Sequence, residues 1–332
     1  MRGVRIPAKE AQRVKKELIK AGALDTGKKA TRDGEFVIFP VKGDADGFET
    51  VKVDFKDVRR HRKFKDALRE FLTPEELSLT KRAFDTIGDI AVVEVPPELE
   101  VHECAIAKAL MDAHKNIRSV YKKSGEVKGE DRTREFKFLH GEERTETTYR
   151  EHGLKLKLDI TKAYFSPRLS AERERILTQT KDGEVVVDLF AGIGPFSILL
   201  AKHCDLRAYA IDINPHAFEY LKENIRINKV ADRVIPLLGD CCEVASKGIA
   251  TRVIMNLPKS SDKFLDLAFD VIKEGAVHYY TISPEEDLYD SKIDFIKKTA
   301  EEKGKTVEIL NRKIVRPYAP YNYHIAIDIG VK

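Results

Sequence analysis

The chain has 332 residues, 42% of them hydrophobic and 34% charged, with a formal net charge of +4. It is too long for one ordinary domain and apolar enough for real cores, so two or three domains are expected. Cys104, Cys204, Cys241 and Cys242 show no C-x-x-C spacing, and no apolar run reaches the length of a membrane span. A disulfide framework, a metal centre and a transmembrane segment are therefore not expected. With no signal-peptide pattern at its start, the chain reads as soluble and cytoplasmic, and, since no segment reads as a large exposed apolar face, as a monomer. The high charge content, without Trp, also fits a protein built for high temperature. Charge is uneven: residues 1–70 hold 19 Lys/Arg against 12 Asp/Glu, a net +7, leaving −3 for the rest. A basic N-terminal part suggests a polyanion partner such as RNA, although plain solvated helix faces would look similar.

In chain order, residues 1–54 read as a small α+β module. Val4-Arg5-Ile6 is extended, and Ala8 to Ala21 has apolar groups at Ala11, Val14, Leu18 and Ile19, a helical spacing. Phe36–Phe39 and Val51–Phe55 read as strands, with turns at Asp33-Gly34 and Gly43–Gly47. Asp44 and Asp46 resemble the start of a calcium loop, but no Glu closes it, so a turn is expected. Residues 55–165 form a second α+β block. It opens on a basic helix from Val58 to Phe71, with Arg59, Arg60, His61, Arg62, Lys63, Lys65 and Arg69. Ile90–Val95 is a strand closed by Pro96-Pro97, and a helix follows from about Glu103 to Asn116. Further strands are expected at Val120-Tyr121, Glu135–Leu139, Thr145–Tyr149 and Leu154–Ile160. Gly141-Glu142-Glu143 and Glu151-His152-Gly153 are read as hairpin turns. Residues 166–332 alternate strand and helix, with strands near 185–188, 207–211, 233–237, 252–255, 277–282, 307–314 and 323–329. Seven strands with intervening helices predict a doubly wound α/β sheet, its last pair antiparallel because only a short link joins them.

The densest signal is Val185-Val186-Val187-Asp188-Leu189-Phe190-Ala191-Gly192-Ile193-Gly194-Pro195-Phe196-Ser197. A β-branched strand ends at Asp188, two glycines make a bare turn, and Pro195 suits the first turn of a helix. Asp212 ends the next strand, twenty residues past Gly192, where a carboxylate can accept from both hydroxyls of a ribose. The pattern reads as a nucleoside-cofactor site. A dinucleotide loop would want a third glycine, but that position is Ser197. Downstream, Thr251–Met255 ends in Asn256-Leu257-Pro258-Lys259, which can aim an amide and a carbonyl at a planar polar ring. The combination favours S-adenosylmethionine; a nicotinamide cofactor and an empty strand-turn-helix are the alternatives. Asp188, Asp212, Asp240 and Asn256 all fall at carboxyl ends of strands, where such sheets bind ligands. Asp240 could read the adenine edge or merely cap a helix.

Four motifs in order resemble the archaeal and eukaryotic tRNA (guanine-37-N1)-methyltransferases. They are Tyr164-Phe165-Ser166-Pro167-Arg168-Leu169-x-x-Glu172-Arg173, the Asp188–Ser197 turn, Ala210-Ile211-Asp212-Ile213-Asn214-Pro215-His216-Ala217, and Asn256-Leu257-Pro258-Lys259. Arg316-Pro317-Tyr318-Ala319-Pro320 adds to the likeness, which runs from about Arg118 to the C-terminus. The resemblance implies a Rossmann-like class I methyltransferase sheet of residues 166–332, preceded by two smaller RNA-binding domains, 1–54 and 55–165. It implies methyl transfer from S-adenosylmethionine to N1 of guanosine 37 in tRNA. N1 carries a proton, and its loss moves negative charge onto O6, so a base and a cation are needed. The resemblance puts the base on Glu172 and the cation on Arg132, with Arg134 two residues away. Asn256 and Tyr164 would hold the guanine. Arg173, Asp188, Phe190, Gly192, Gly194, Asp212, Ile213, Asp240, Cys241 and Asn256 would hold the cofactor, with no metal. Related chemistries are methylation of C7 of a wyosine precursor and aminocarboxypropyl transfer. A non-catalytic tRNA chaperone is opposed by the full set of site residues.

Overall fold

Three valines in a row, with Asp188 closing the strand, start the sheet around which the larger part of the molecule is built. The structure is a computed structural model, described for residues 1–43, 45, 47–57, 64–80, 83–124 and 135–332. The turn at Asp44 and Asp46, the basic run from residue 58 to 63 and the segment with Arg132 and Arg134 lie outside the described residues. The chain divides into two units, Met1–Glu70 and Phe71–Lys332.

The first unit contains β1 (Arg2–Pro7), α1 (Ala11–Lys20), β2 (Thr31–Asp33), β3 (Phe36–Pro40), β4 (Thr50–Lys52) and α2 (Phe64–Leu68). The four strands form one sheet in the order β2-β3-β1-β4. Val14 and Leu18 of α1 pack on Val4, Ile6, Phe39 and Val41 of the sheet. The helical spacing thus finds the core through Val14 and Leu18, whereas Ile19 points outward and is half exposed.

The second unit opens with α3 (Pro74–Leu79), capped by Thr73, and then β5 (Asp85–Ile87), β6 (Ile90–Val93), α4 (Glu103–Ala113), β7 (Ser119–Lys123) and β8 (Phe136–Gly141). These strands make a sheet in the order β5-β6-β7-β8, with β6 and β7 parallel. The hairpin expected at Gly141–Glu143 does not form: β8 pairs with β7, while β9 (Glu146–Glu151) pairs with β10 (Leu154–Asp159). Gly141, at φ 99°, instead lets β8 pass so close to the Arg118 carbonyl that a Cβ would sit 2.1 Å from its oxygen. The β9–β10 turn is as expected, with His152 and Gly153 both at positive φ. Leu154, Leu156 and Leu158 of β10 are fully buried.

The remaining elements are α5 (Ser170–Gln179), β11 (Val185–Asp188), α6 (Pro195–His203), β12 (Arg207–Asp212), α7 (Pro215–Asn228), β13 (Val234–Leu238), α8 (Cys241–Val244), β14 (Ala250–Met255), α9 (Leu265–Val271), β15 (Ile272–Pro284), α10 (Asp290–Glu302), β16 (Val307–Ala319) and β17 (Asn322–Val331). Seven strands form one sheet in the order β13-β12-β11-β14-β15-β17-β16. The first five are parallel, and β17 inserts antiparallel between β15 and β16. The order reverses between β11 and β14, which places a crevice at the carboxyl ends of those strands. Two apolar layers cover the two faces, one built on α6 and α7 and the other on α9 and α10. The first layer also takes in Leu154, Leu156 and Leu158. Asn224 and Asn228 of α7 fix that hairpin: their side-chain oxygens accept from the backbone N–H of Lys157 (2.7 Å) and Lys155 (3.0 Å). Their amide nitrogens donate back to the carbonyls of the same two residues.

Candidate active site

The turn after β11 is shaped by two glycines with different duties. Gly194, at φ 86°, caps α6, and a Cβ there would lie 2.5 Å from Leu221 Cδ1. Gly192, at φ 57°, faces open space, with the Tyr164 carbonyl oxygen 3.7 Å away as its nearest neighbour. One glycine is needed for packing, while the other leaves a bare backbone toward a cavity. Ser197 explains the missing third glycine: its buried hydroxyl donates to Asp188 Oδ2 at 2.9 Å. Asp188 is fully buried under the turn and does not line the cavity. Burial pushes its carboxyl up to about 7, against the opposing pull of the Ser197 hydroxyl and the Phe190 N–H. Its Oδ1 has no hydrogen-bond partner among the described residues.

The cavity, of about 490 Å³, lies where the strand order reverses. Tyr164, Arg173, Phe190, Gly192, Asp212, Ile213, Asp240, Cys241 and Asn256 all line it. Asp212 accepts from the backbone N–H of Gly192 at 2.6 Å and of Asn214 at 2.9 Å, so it ties the glycine turn to the next strand end. Asp240 caps α8, accepting from Cys242 N–H at 2.8 Å. Burial pushes the Cys241 and Cys242 thiols up, which keeps them protonated at neutral pH. Arg173 is 1% exposed and forms a two-point ion pair with Glu151, with its guanidinium over the Phe165 ring.

No role was expected for several wall residues. Phe264 meets Phe190 edge-on at 5.0 Å, and Lys259 and Lys263 also line the cavity. Asn214, a buried cap of α7, donates to the Lys162 carbonyl at 2.8 Å and so anchors the stretch leading to Tyr164. Its Asn-Pro pair after a strand end was the available signal. A second cavity of about 260 Å³ shares Tyr164, Phe165 and Ser166 with the first. Ile87, Val92, Leu158 and Ile160 give it an apolar floor, while Lys123, Arg168 and Arg316 make it basic against Asp85 and Glu94. Asp85 pairs with both Lys123 (3.1 Å) and Arg168 (2.6 Å).

Glu172 lines neither cavity. It is 2% exposed and faces the antiparallel side of the sheet. Its Oε2 accepts from Arg175 Nε at 2.8 Å and from the Tyr280 hydroxyl at 3.2 Å. Its Oε1 lies 2.8 Å from Lys313 Nζ, as an ion pair without hydrogen-bond direction. Burial alone would raise this carboxyl, but Lys313 and Arg175 outweigh it and hold the group below its ordinary range. It is therefore ionised at neutral pH.

Comparison with known proteins places these features in context. A model of the TRM5/TYW2 methyltransferase domain matches residues 147–310, one of the TYW2 N-terminal domain matches 64–145, and one of the tRNA methyltransferase 5 N-terminal domain matches 3–49. The tRNA (guanine(37)-N(1))-methyltransferase Trm5b of Pyrococcus abyssi is 46% identical over 331 residues, covering 99% of this chain and 98% of that protein. The tRNA(Phe) (4-demethylwyosine(37)-C(7)) aminocarboxypropyltransferase of Pyrococcus horikoshii is 34% identical, over 80% of this chain and 97% of that protein. Among solved structures, a complex of aTrm5 with tRNALeu matches with TM-score 0.81 and 35% identity over 99% of each chain.

Proposed function

The chain belongs to the TRM5/TYW2 methyltransferase family, and we propose that it methylates N1 of guanosine 37 in tRNA from S-adenosylmethionine, with Glu172 as general base. The observation that carries this reading is the shared wall of the two cavities: Tyr164, Phe165 and Ser166 border both. A cofactor in the larger cavity and a base turned out of the anticodon stack into the smaller one would meet across that wall.

The larger cavity fits the cofactor. Gly192 leaves its backbone open, Asp212 ends β12 at the cavity edge, and Phe190 with Ile213 offers apolar faces. Asp240, Cys241 and Arg173 complete its polar lining. Asp188 and Gly194 act from behind by shaping the turn. S-adenosylmethionine, when bound, supplies an electrophilic methyl group on a sulfonium sulfur. Asn256, on the wall of the larger cavity, is assigned both a cofactor contact and the polar edge of the guanine, and Tyr164, which borders both cavities, lines the guanine's pocket. Glu172 lines neither cavity, so its carboxylate takes the N1 proton only once Lys313 leaves Oε1: the N1–H bond breaks, an O–H bond forms, and the electron pair stays on N1. Arg132, outside the described residues, is assigned the charge that builds on O6. Residues 1–54 are assigned to tRNA binding, 55–165 to tRNA binding and part of the active site, and 166–332 to methyl transfer. Among the described residues no helix is long and apolar enough to cross a membrane, and the reading places the enzyme in the cytoplasm with its tRNA.

The test is transfer from methyl-labelled S-adenosylmethionine to unmodified tRNA transcripts bearing G37 or A37, followed by nucleoside analysis. Label in 1-methylguanosine with the G37 transcript alone is expected. Glu172→Gln should abolish it while S-adenosylmethionine still binds. Label that appears only when the cofactor is marked in its aminocarboxypropyl portion would assign the other family chemistry instead.

A further inference from the structure

Behind Glu172 runs a line of charged and polar side chains that the reading above does not use. Arg175 holds Glu172 Oε2 at 2.8 Å and grips Asp328 with its other two nitrogens, Nη2 donating to Oδ1 at 3.2 Å. Asp328 Oδ1 accepts from His278 Nδ1 at 2.7 Å. His278 Nε2 is 2.6 Å from Arg252, which can only donate, so the imidazole is neutral with its proton on Nδ1. Burial holds His278 below its ordinary range in the same sense. Arg252 ends the line on Glu184, at 2.6 and 2.9 Å, and on the Gln179 carbonyl at 2.8 Å. His278 and Asp328 face each other in register on β15 and β17 and, like Arg252, are almost completely buried. A line of this length under a core is costly, and removing one partner strands the next. It is therefore expected to serve something more exacting than packing.

The two contacts on Glu172 differ in kind. Arg175 has a side chain 13% exposed and is fixed from behind by Asp328; Lys313, on the outermost strand β16, has a side chain 43% exposed and no other ion pair among the described residues. Oε2 has two directed hydrogen bonds, from Arg175 and from Tyr280 on β15, while Oε1 has only the undirected ion pair. Resting on the assignment of Glu172 as base, we infer that Arg175, braced by Asp328, His278 and Arg252, is a positioning residue that fixes Oε2 and leaves Oε1 as the oxygen that takes the proton from N1. Lys313 is the releasable cover of that oxygen. The groups facing Glu172 are thus Arg175 from its own helix, Tyr280 from β15 and Lys313 from β16. Asp328 of β17 acts through Arg175.

The experiment is the pH dependence of single-turnover methyl transfer by the full chain on a G37 transcript, for wild type, Glu172→Gln, Arg175→Gln and Arg175→Lys. A cation beside a carboxylate favours its charged form, so its loss should move the acid limb of the rate to higher pH, by about one unit. Arg175→Gln should show that shift with the KM for S-adenosylmethionine within about twofold of wild type. Arg175→Lys, which keeps the charge but not the two-sided grip, should return the limb toward wild type with a rate about tenfold lower. A limb for Arg175→Gln that superimposes on wild type overturns the inference. If that variant does not fold, Arg175→Lys decides alone, and a wild-type rate overturns it. Full activity of Glu172→Gln would instead remove the base assignment itself. An inactive Glu172→Gln beside an unmoved Arg175→Gln limb would remove only the positioning role.

Discussion

The parallel and antiparallel halves of the seven-stranded sheet solve different problems. In the parallel half, from β13 to β14, the strand ends are bare: glycines, an Asp tying two backbone N–H groups, and a cavity. In the antiparallel half, β15, β17 and β16 bring Tyr280, His278, Asp328, Asn311 and Lys313 together on the face toward α5. The first half offers mainly backbone at its strand ends and leaves room. The second fills its space with side chains that fix one another. The contrast is a division of space, with the cavity at one edge of α5 and a buried charged cluster around Glu172 at the other. Arg173 and Glu172, adjacent in sequence, face these two sides.

The sharpest way to break this comparison is to cut the charged line where it meets the parallel half. Arg252→Met strands Glu184, His278 and the Gln179 carbonyl, and should cost about 3–5 kcal/mol in urea unfolding. A loss below about 1 kcal/mol would mean that the line does not work as a unit. Next in size, the halves should respond to pH with opposite signs. Asp188 has its carboxyl raised to about 7 in the fold, above the unfolded value of about 3.9. Its contribution is full below about pH 4 and is lost as pH rises through 7. Asp328 behaves in reverse. Burial opposes its charge, but His278 and Arg175 prevail and hold its carboxyl far below the usual range. Its contribution is present above about pH 4 and is lost as pH falls. Stability of Asp188→Asn should therefore gain on wild type between about pH 5 and pH 8, by a few kcal/mol at most. A parallel pair of pH curves would refute that assignment.

The glycines sharpen the comparison within the parallel half. Gly194→Ala meets Leu221 and Ile198 as well as an unfavourable φ, and should lose about 2–3 kcal/mol of stability. Gly192→Ala carries only the φ cost of about 1 kcal/mol and places its methyl toward the cavity, so S-adenosylmethionine affinity should fall more than stability. Calorimetric titration beside thermal unfolding separates the two. The smallest effect is expected for Ser197→Ala, about 1 kcal/mol, because it removes one buried hydrogen bond to Asp188.

Local features were legible in the sequence. The Asp188–Pro195 turn, the Asp212 strand end and the β9–β10 hairpin rest on residues within a few positions of each other, and turn chemistry states them directly. The short link before β17 announced an antiparallel end, although not that β17 would insert beside β15. Gly141 misled because its positive φ serves a close pass over Arg118, a partner 23 residues back. The setting of Glu172 was hidden for the same reason: Tyr280 and Lys313 are more than a hundred residues away, and nothing local marks them as neighbours. Asp188 was expected on the ligand, but Ser197 draws it under the turn.

The two asparagines of α7 carry a last consequence. β9 and β10 form a two-stranded sheet, and β10 would otherwise present a row of bare N–H and C=O groups, an invitation to pair with another molecule. Asn224 and Asn228, one helical turn apart, occupy that row as a surrogate third strand. The amide protons of Lys155 and Lys157 should therefore exchange with deuterated water far more slowly than an outermost strand permits. Replacing both asparagines by alanine should turn a protected margin into a sticky one, with self-association appearing before any loss of fold.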